Sequence, residues 1–316
     1  MRWTTRLRTV AVFVAALTSA STAAALAATP NSGQPGSTCV GHNGGISYTA
    51  PPNGESTTAL GPDAPAYYEV GKPTGAFAGK APRGQMIIIH GGSWHLIGKG
   101  VVAFERRNAN RWRARGWQTI NIDYRACAES IADVRWFKNR VRLLHPRAII
   151  CAEGISAGGH LALLLAATAG DVDCAISLGG PADLRAIGTQ VAFNPRTGAY
   201  SNAGPAKVAN LARAAFGDGL DAADPRQFAG AIKARLLLAS GSFDPLIPVE
   251  QNSGLADAVR SAHPDAYVDV DVLPFGTTKW VHGATTPEAI ADFYRREEAL
   301  VAPLTAPLVP QVLRWL

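Results

Sequence analysis

Apolar runs of strand length alternate with segments of helical periodicity along most of this 316-residue chain. The strand-like runs cover residues 86–90, 118–123, 148–153, 174–178, 236–240 and 267–273. The helical segments cover residues 101–114, 131–144, 156–168 and 287–300. This alternation predicts an α/β fold, in which a mostly parallel sheet has helices on both faces. In such sheets the functional groups lie at the carboxyl ends of the strands, so the residues that follow each strand are the candidates for chemistry.

The N-terminus predicts export. Positive charges at Arg2, Arg6 and Arg8 precede a short apolar stretch, and an Ala-Leu-Ala cleavage site ends at Ala27. We therefore expect residues 1–27 to be a signal peptide and the mature protein to be secreted, either periplasmic or extracellular. An uncleaved membrane anchor is the alternative, but the apolar stretch is short and Ser and Thr follow it. No stable membrane insertion is expected once the signal is removed.

The rest of the chain divides into a lead-in and one domain. Residues 28–62 are rich in Gly, Pro, Ser, Thr and Asn and predict a loose N-terminal lead-in. The domain then covers residues 63–316, and its apolar tail from residue 301 is expected to pack on the body. Residues 181–234 interrupt the alternation and predict a small helical cap, with helical pieces at 206–216 and 226–233. A long disordered loop is the alternative for this insertion.

Four cysteines follow the predicted signal, Cys39, Cys127, Cys151 and Cys174. In an oxidising compartment they allow two disulfides in three possible pairings. Cys151 and Cys174 fall on predicted neighbouring strands and are able to lie close, but two buried free thiols fit the sequence equally well. No cysteine or histidine spacing matches a zinc motif, so we expect no metal.

The charge of the chain favours no nucleic-acid partner. The formal net charge is +6, and without the three arginines of the predicted signal 27 basic residues stand against 24 acidic ones. The densest basic cluster consists of Arg106, Arg107, Arg111, Arg113 and Arg115. We interpret this cluster as the solvated face of one helix.

The segment after the 148–153 strand is a G-x-S-x-G motif, Gly154-Ile155-Ser156-Ala157-Gly158. Between a strand and a helix, this motif forms a sharp turn that exposes the serine hydroxyl. Ser156 is therefore the candidate nucleophile.

The segment after the 86–90 strand is His90-Gly91-Gly92-Ser93-Trp94. Successive glycines allow backbone N–H groups to face a substrate oxygen, so Gly91 or Gly92 together with Ala157 predicts an oxyanion hole. An ordinary glycine turn is the alternative. His90 is expected to be a structural hydrogen-bonding residue, and Trp94 is the candidate substrate-binding residue.

A serine nucleophile requires a base and a carboxylate that orients it, in the chain order serine, acid, histidine. Among the histidines that follow the serine, His282 comes after the last predicted strand and is the candidate base. His160 lies one helical turn beyond the serine and His263 lies at a helix end, so both are weaker candidates. Asp244 follows the strand before His282 and is the candidate acid, with Glu250 as the alternative.

These motifs resemble those of the α/β-hydrolase superfamily, in particular the esterase/lipase branch with an HGG oxyanion motif and a GxSAGG elbow. The resemblance covers about residues 60–300 and includes the run from Ser156 to Ala162 and Asp123-Tyr124-Arg125. It implies an eight-stranded sheet and carboxylic-ester hydrolysis through an acyl-enzyme, with no cofactor. Two departures concern the substrate. Ser93-Trp94 stands where this branch often has a third glycine, and the resulting His-Gly-Gly-x-Trp pattern also occurs in arylformamidases. Val281 precedes the histidine, where glycine is usual.

The leading hypothesis is a secreted serine carboxylesterase that acts on a small-molecule ester. The alternatives are an arylformamidase or amidase with the same machinery, and a catalytically silent hydrolase-fold binding protein. The sequence leaves the natural substrate and the oligomeric state open.

Overall fold

The structure, a computed structural model, describes residues 39–42, 45–46, 49–51, 55–169, 172–194 and 197–305. The predicted signal peptide lies outside the described residues, as does the predicted C-terminal tail beyond residue 305. The described start of that tail continues the last helix, where Val301 is buried. Within the described ranges, no helix combines the length and the apolar character needed to cross a membrane.

The strands are β1 (Glu55–Ser56), β2 (Tyr68–Gly71), β3 (Gln85–Ile89), β4 (Gln118–Ile122), β5 (Ile150–Ile155), β6 (Cys174–Leu178), β7 (Ala192–Asn194), β8 (Ala199–Ser201), β9 (Arg235–Gly241), β10 (Val268–Leu273), β11 (Thr278–Trp280) and β12 (Gly283–Thr285). The α-helices are α1 (Lys99–Phe104), α2 (Arg106–Ala114), α3 (Glu129–Leu144), α4 (Ala157–Leu164), α5 (Ala203–Phe216), α6 (Glu250–Ala262) and α7 (Pro287–Thr305).

Eight strands form one sheet in the order β1-β2-β4-β3-β5-β6-β9-β10. β1 and β2 pair antiparallel, and β2 is antiparallel to β4, whereas the pairs from β4 to β10 are parallel. The predicted α/β-hydrolase fold with a mostly parallel, eight-stranded sheet is therefore confirmed.

The central strand β3 shows why helices cover both faces of the sheet. All five of its residues are buried, and successive side chains of a strand point to opposite faces. Ile87 and Ile89 belong to the core that includes residues of α3 and α4, whereas Met86 and Ile88 belong to the core that includes residues of α2 and α7. A continuously apolar strand of this kind requires cover on both sides.

The N-terminal edge of the sheet was not expected from the sequence. β1 lies inside the predicted lead-in, and β2 has the sequence Tyr-Glu-Val-Gly, whose charged residue interrupts an apolar run. That residue, Glu69, is nevertheless 1% exposed. It is stable there because Arg106 Nη2 donates to Glu69 Oε1 at 2.6 Å, and a buried charge requires such a partner.

The insertion between β6 and β9 is more varied than a set of helices. It contains α5, which overlaps the predicted helical piece, and a 3-10 helix at Pro225–Ala231. It also contains the unexpected hairpin of β7 and β8, where the rings of Phe193 and Tyr200 lie 5.2 Å apart. Strands of three residues are too short to give a visible alternation.

The interpretation of the arginine cluster as a solvated helix face is wrong. The predicted helix is divided into α1 and α2 at Glu105, and four of the five arginines pair with carboxylates. The pairs are Arg106 with Glu69, Arg111 with Glu153 and Glu297, Arg113 with Glu55, and Arg115 with Glu297. Burial and the neighbouring Glu153 raise the pKa of Glu297 to about 8. These contacts join α2 and α7 to β5, the strand that leads to Ser156.

All four cysteines form disulfides, Cys39 with Cys127 and Cys151 with Cys174. The second pair joins β5 to β6, where the two cysteines lie directly opposite each other in the parallel register. The first pair joins the lead-in to the segment before α3 across 88 residues. Of the alternatives that the sequence left open, the structure therefore has disulfides rather than free thiols.

Candidate active site

Ser156 occupies the sharp turn between β5 and α4. Its backbone has φ 55° and ψ −120°, a left-handed conformation that is strained for a residue with a side chain. The flanking glycines are required by close packing. A Cβ on Gly154 would overlap the carbonyl of Gly158, and a Cβ on Gly158 would overlap the carbonyl oxygen of Ile89. The motif therefore presses the turn against the ends of two strands and holds the serine above the sheet.

The structure brings Ser156, His282 and Asp244 together in a chain of hydrogen bonds. His282 Nε2 lies 2.9 Å from Ser156 Oγ, and His282 Nδ1 lies 2.8 Å from Asp244 Oδ2. The other carboxylate oxygen of Asp244 accepts the backbone N–H groups of Leu246 and Ile247 at 2.9 and 3.0 Å. The acid is therefore fixed on one side by the backbone and faces the imidazole with the other.

His282 does not directly follow the last strand of the sheet. The last strand of the sheet, β10, ends at Leu273, and the histidine instead occupies the tight turn of the β11–β12 hairpin, where Trp280 pairs with Gly283. A Cβ on Gly179, which follows β6, would lie 3.3 Å from both Asp244 Oδ2 and His282 Nδ1. The absence of a side chain at Gly179 therefore leaves room for this pair.

The alternative bases and the alternative acid lie elsewhere. His160 is fully buried, accepts the Trp94 Nε1–H at 3.1 Å, and donates from Nε2 to the Ala223 carbonyl at 2.6 Å. Burial lowers the pKa of His160 to about 4, so this ring stays neutral. His263 lies at the end of α6, against the Gly230 carbonyl. Glu250 begins α6 and is exposed.

The glycine loop after β3 lies against the serine. A Cβ on Gly91 would lie 2.9 Å from the Ile155 carbonyl oxygen and 3.3 Å from Ser156 Cβ, so glycine allows this close approach. Gly92, Ser93 and Trp94 all have positive φ, at 129°, 53° and 63°. As the first residue of α4, Ala157 has an N–H that no carbonyl of its own helix accepts. Gly91 and Ala157, two of the residues assigned to an oxyanion hole, thus both lie next to Ser156.

His90 fixes the base of this loop. Its ring is buried, stacks on Tyr124 at 4.2 Å, and places Nε2 at 3.0 Å from Asp123 Oδ1. The Tyr124 hydroxyl donates to the His90 carbonyl at 3.1 Å, and the second oxygen of Asp123 accepts the Gly98 N–H. This matches the structural role expected for His90.

Trp94 is 1% exposed, and its indole is held between His160 and Phe216. It lines the smaller of two cavities that meet at the serine, so its assignment as a substrate-binding residue stays a prediction. Its position, with hydrogen bonds at the ring nitrogen and at the backbone carbonyl, fixes the end of the glycine loop.

The lead-in forms part of the site, which sequence reasoning missed. Cys127, bonded to Cys39, donates its N–H to the Trp94 carbonyl at 2.8 Å. His42 exchanges backbone hydrogen bonds with His95 and Ile97, and Ile46 lines the larger cavity. Only the cysteine gave a sequence signal, because the other contacts join residues that are distant along the chain.

Two cavities share Ser156 and His282. The smaller, of about 90 Å³, lies towards α5 and is lined by Trp94, Lys207 and Leu211. The larger, of about 630 Å³, lies towards α1, α2 and the β11–β12 hairpin. A substrate whose reacting bond lies at Ser156 would therefore have more space on the side of the larger cavity than on the side of the smaller one.

The described residues contain few side chains that are grouped closely enough to bind a metal ion. Their one cluster of potential ligand atoms is Cys39, His95 and Cys127, and the disulfide leaves only the imidazole as a ligand.

Comparison with known proteins identifies the family of this chain. The model of the BD-FAE family matches residues 77–259, which is more than half of the chain. The chain belongs to the BD-FAE family. This matched region contains the glycine loop, Ser156 and Asp244, and it ends before His282. Among curated proteins no match was found.

Solved structures similar to this one are α/β-hydrolases. An esterase of the Planctomycetes species Thermogutta terrifontis, with propionate bound, has a TM-score of 0.60 at 19% identity over 81% of this chain and 97% of its own. A truncated carbohydrate esterase from gut microbiota has a TM-score of 0.55 at 18% identity, over 74% and 91%. An acylaminoacyl peptidase in complex with a chloromethyl ketone has a TM-score of 0.54 at 16% identity, over 75% of this chain but 39% of its own. At these identities the likeness concerns the fold.

Proposed function

We propose that this protein is an exported serine hydrolase that cleaves carboxylic esters through an acyl-enzyme. The observation that supports it most is the hydrogen-bonded series Ser156 Oγ, His282 Nε2, His282 Nδ1 and Asp244 Oδ2, with distances of 2.9 and 2.8 Å. These distances fit a nucleophile, a base and an orienting acid.

In the proposed reaction His282 Nε2 takes the Ser156 hydroxyl proton while Oγ attacks the acyl carbon. The negative charge on the former carbonyl oxygen is stabilised by backbone N–H groups of Ala157 and of Gly91 or Gly92. As the tetrahedral species collapses, His282 gives the proton to the leaving alcohol oxygen. A water molecule, deprotonated by the same imidazole, then attacks the acyl-enzyme and releases the acid. Throughout, Asp244 holds the proton on Nδ1 and stabilises the imidazolium.

A fluorophosphonate probe tests this assignment. Intact mass spectrometry of the treated protein should show one adduct per chain, and Ser156→Ala should show none. A serine reacts in this way only where a base and an oxyanion site activate it. A folded wild-type protein that takes up no probe would support the catalytically silent binding protein instead.

Substrate class is tested with 4-nitrophenyl esters of increasing acyl length beside a formyl-anilide. We expect turnover of one or more esters to exceed that of the formyl-anilide. Faster cleavage of the formyl-anilide than of every ester would favour the arylformamidase alternative.

A further inference from the structure

The larger cavity carries positive charge that the protein itself does not neutralise. Arg107 of α2 and Lys279 of β11 both line it, and both are exposed. Neither side chain has an ion pair or a hydrogen bond with another of the described residues. Arg111 lines the same cavity, but its guanidinium is paired with the Glu153 carboxylate at 2.9 Å.

One acidic residue, Glu105, is among the described residues that line the cavity. It is 6% exposed, and Asn108 Nδ2 donates to its Oε2 at 2.8 Å. Burial raises the pKa of this carboxyl to about 7. At neutral pH this carboxyl is therefore partly protonated, and it offsets only part of the charge of Arg107 and Lys279.

The remainder of the cavity is largely apolar. Phe104 is 72% exposed at its edge, and Trp280 and Tyr294 contribute aromatic surface. With a volume of about 630 Å³ against about 90 Å³ on the other side of the serine, this cavity is suited to the larger half of a substrate. Exposed cations beside an apolar surface favour a ligand that is itself apolar with a negative group.

We propose that the larger cavity binds the half of an ester that has an apolar body and a negatively charged carboxylate. This inference rests on the proposed function, because it takes Ser156 as the point where the ester is cleaved. It assigns Arg107 and Lys279 as the residues that attract the anionic group.

Two pairs of esters test the proposal and identify the half that carries the charge. In the first pair, 4-acetoxybenzoate and neutral 4-acetoxybenzamide differ in the leaving group. In the second, 4-nitrophenyl hydrogen adipate and its methyl ester differ in the acyl group. We expect kcat/KM to be higher for the charged member of at least one pair. That preference should decrease as sodium chloride is added, because salt screens exposed charges.

Charge-removing variants assign the preference to residues. Arg107→Gln and Lys279→Gln should each reduce the ratio of charged to neutral kcat/KM by about 1.4- to 5-fold, the range of an exposed ion pair. The double variant should bring the ratio close to one. Lys72→Gln is the matched control. Lys72 is exposed and follows β2 beside the start of β4, so it lies at the amino ends of the parallel strands, whereas the cavity lies at their carboxyl ends. It should leave the ratio unchanged.

Calorimetry separates failure of this inference from failure of the proposed function. The binding of 4-hydroxybenzoate and 4-hydroxybenzamide to Ser156→Ala measures the charge preference without turnover. Hydrolysis of the neutral esters at rates equal to or above those of the charged ones, with no preference in binding, would overturn the inference and leave the esterase proposal standing. A charge preference in binding with no turnover of any ester by wild type would overturn the esterase proposal instead.

Discussion

Cys127 donates its backbone N–H to the carbonyl of Trp94 at 2.8 Å while its side chain is bonded to Cys39. One residue thus connects the lead-in to the loop that lies against Ser156. We therefore expect this disulfide to position the loop, a role that we do not expect of the second disulfide, which joins β5 to β6 within the sheet.

The two disulfides provide a matched comparison. Cys39→Ser/Cys127→Ser should lower kcat by about 10-fold or more, since a small displacement of catalytic groups is costly. Cys151→Ser/Cys174→Ser should lower the Tm with less effect on kcat. From the lengths of the closed loops alone, the two bonds contribute about 4.5 and 3.5 kcal/mol to stability. Kinetics and thermal unfolding of both double variants decide this, and an unchanged kcat without the Cys39–Cys127 bond would argue against positioning.

The identity of the acid is tested by two carboxylates. Asp244→Asn should reduce kcat by about 10⁴-fold, because the imidazole then takes the wrong tautomer. Glu250→Gln should change it little, because Glu250 is exposed at the start of α6. Both variants are compared by kcat on the same 4-nitrophenyl ester. A larger loss for Glu250→Gln would make Glu250 the acid of the triad.

His160 should make the protein sensitive to acid. Burial lowers its pKa from 6.5 in the unfolded chain to about 4. Between these pH values the unfolded state binds the extra proton, so the free energy of unfolding decreases as the pH falls, by about 3 kcal/mol from this residue. The contribution is complete above pH 6.5 and is lost by pH 4.

Urea unfolding at several pH values between 4.5 and 7.5 measures this dependence. His160→Gln should flatten it, since glutamine can still accept from Trp94 Nε1 and donate to the Ala223 carbonyl without titrating. His263→Gln, at the end of α6, is the control and should keep the wild-type slope. Equal slopes in wild type and His160→Gln would show that His160 is not the source.

The packing around the serine turn predicts a large difference between two glycines. A Cβ on Gly158 would overlap the Ile89 carbonyl oxygen, whereas one on Gly219 would meet nothing within 4 Å. Gly158→Ala should destabilise the protein by about 1–3 kcal/mol and reduce kcat/KM at least 100-fold, about the effect of a 1 Å displacement. Gly219→Ala should be neutral or slightly stabilising. Full activity in Gly158→Ala would contradict the close packing described for this turn.

The sequence predicted those parts of the fold that depend on local pattern. Apolar runs predicted the parallel strands, and the flanking glycines predicted the turn at Ser156. β2 was missed because Glu69 interrupts its apolar run, and its burial depends on Arg106, which lies 37 residues away. The arginines of α2 were misjudged for the same reason, because their partners come from β1, β2, β5 and α7.

In the candidate site, too, the sequence predicted what depends on local pattern and missed what depends on long-range contacts. Asp244 and His282 were placed by their order after strands, and the structure brings both to Ser156. The contribution of Ile46 and the hold of Cys127 on Trp94 have no local pattern. Ile46 reaches the cavity only when the lead-in packs beside it, and Cys127 reaches Trp94 only when the segment before α3 meets the loop after β3.

Formation of the bond between Cys39 and Cys127 depends on the compartment in which the protein lies. Such a bond forms in an oxidising compartment and is rare where thiols are kept reduced. If the N-terminal signal directs export as proposed, a newly made chain in the cytoplasm still lacks the link between its lead-in and the glycine loop. The hydrolase would then form this disulfide only after export. Esters inside the cell that makes it would not be exposed to the fully active protein.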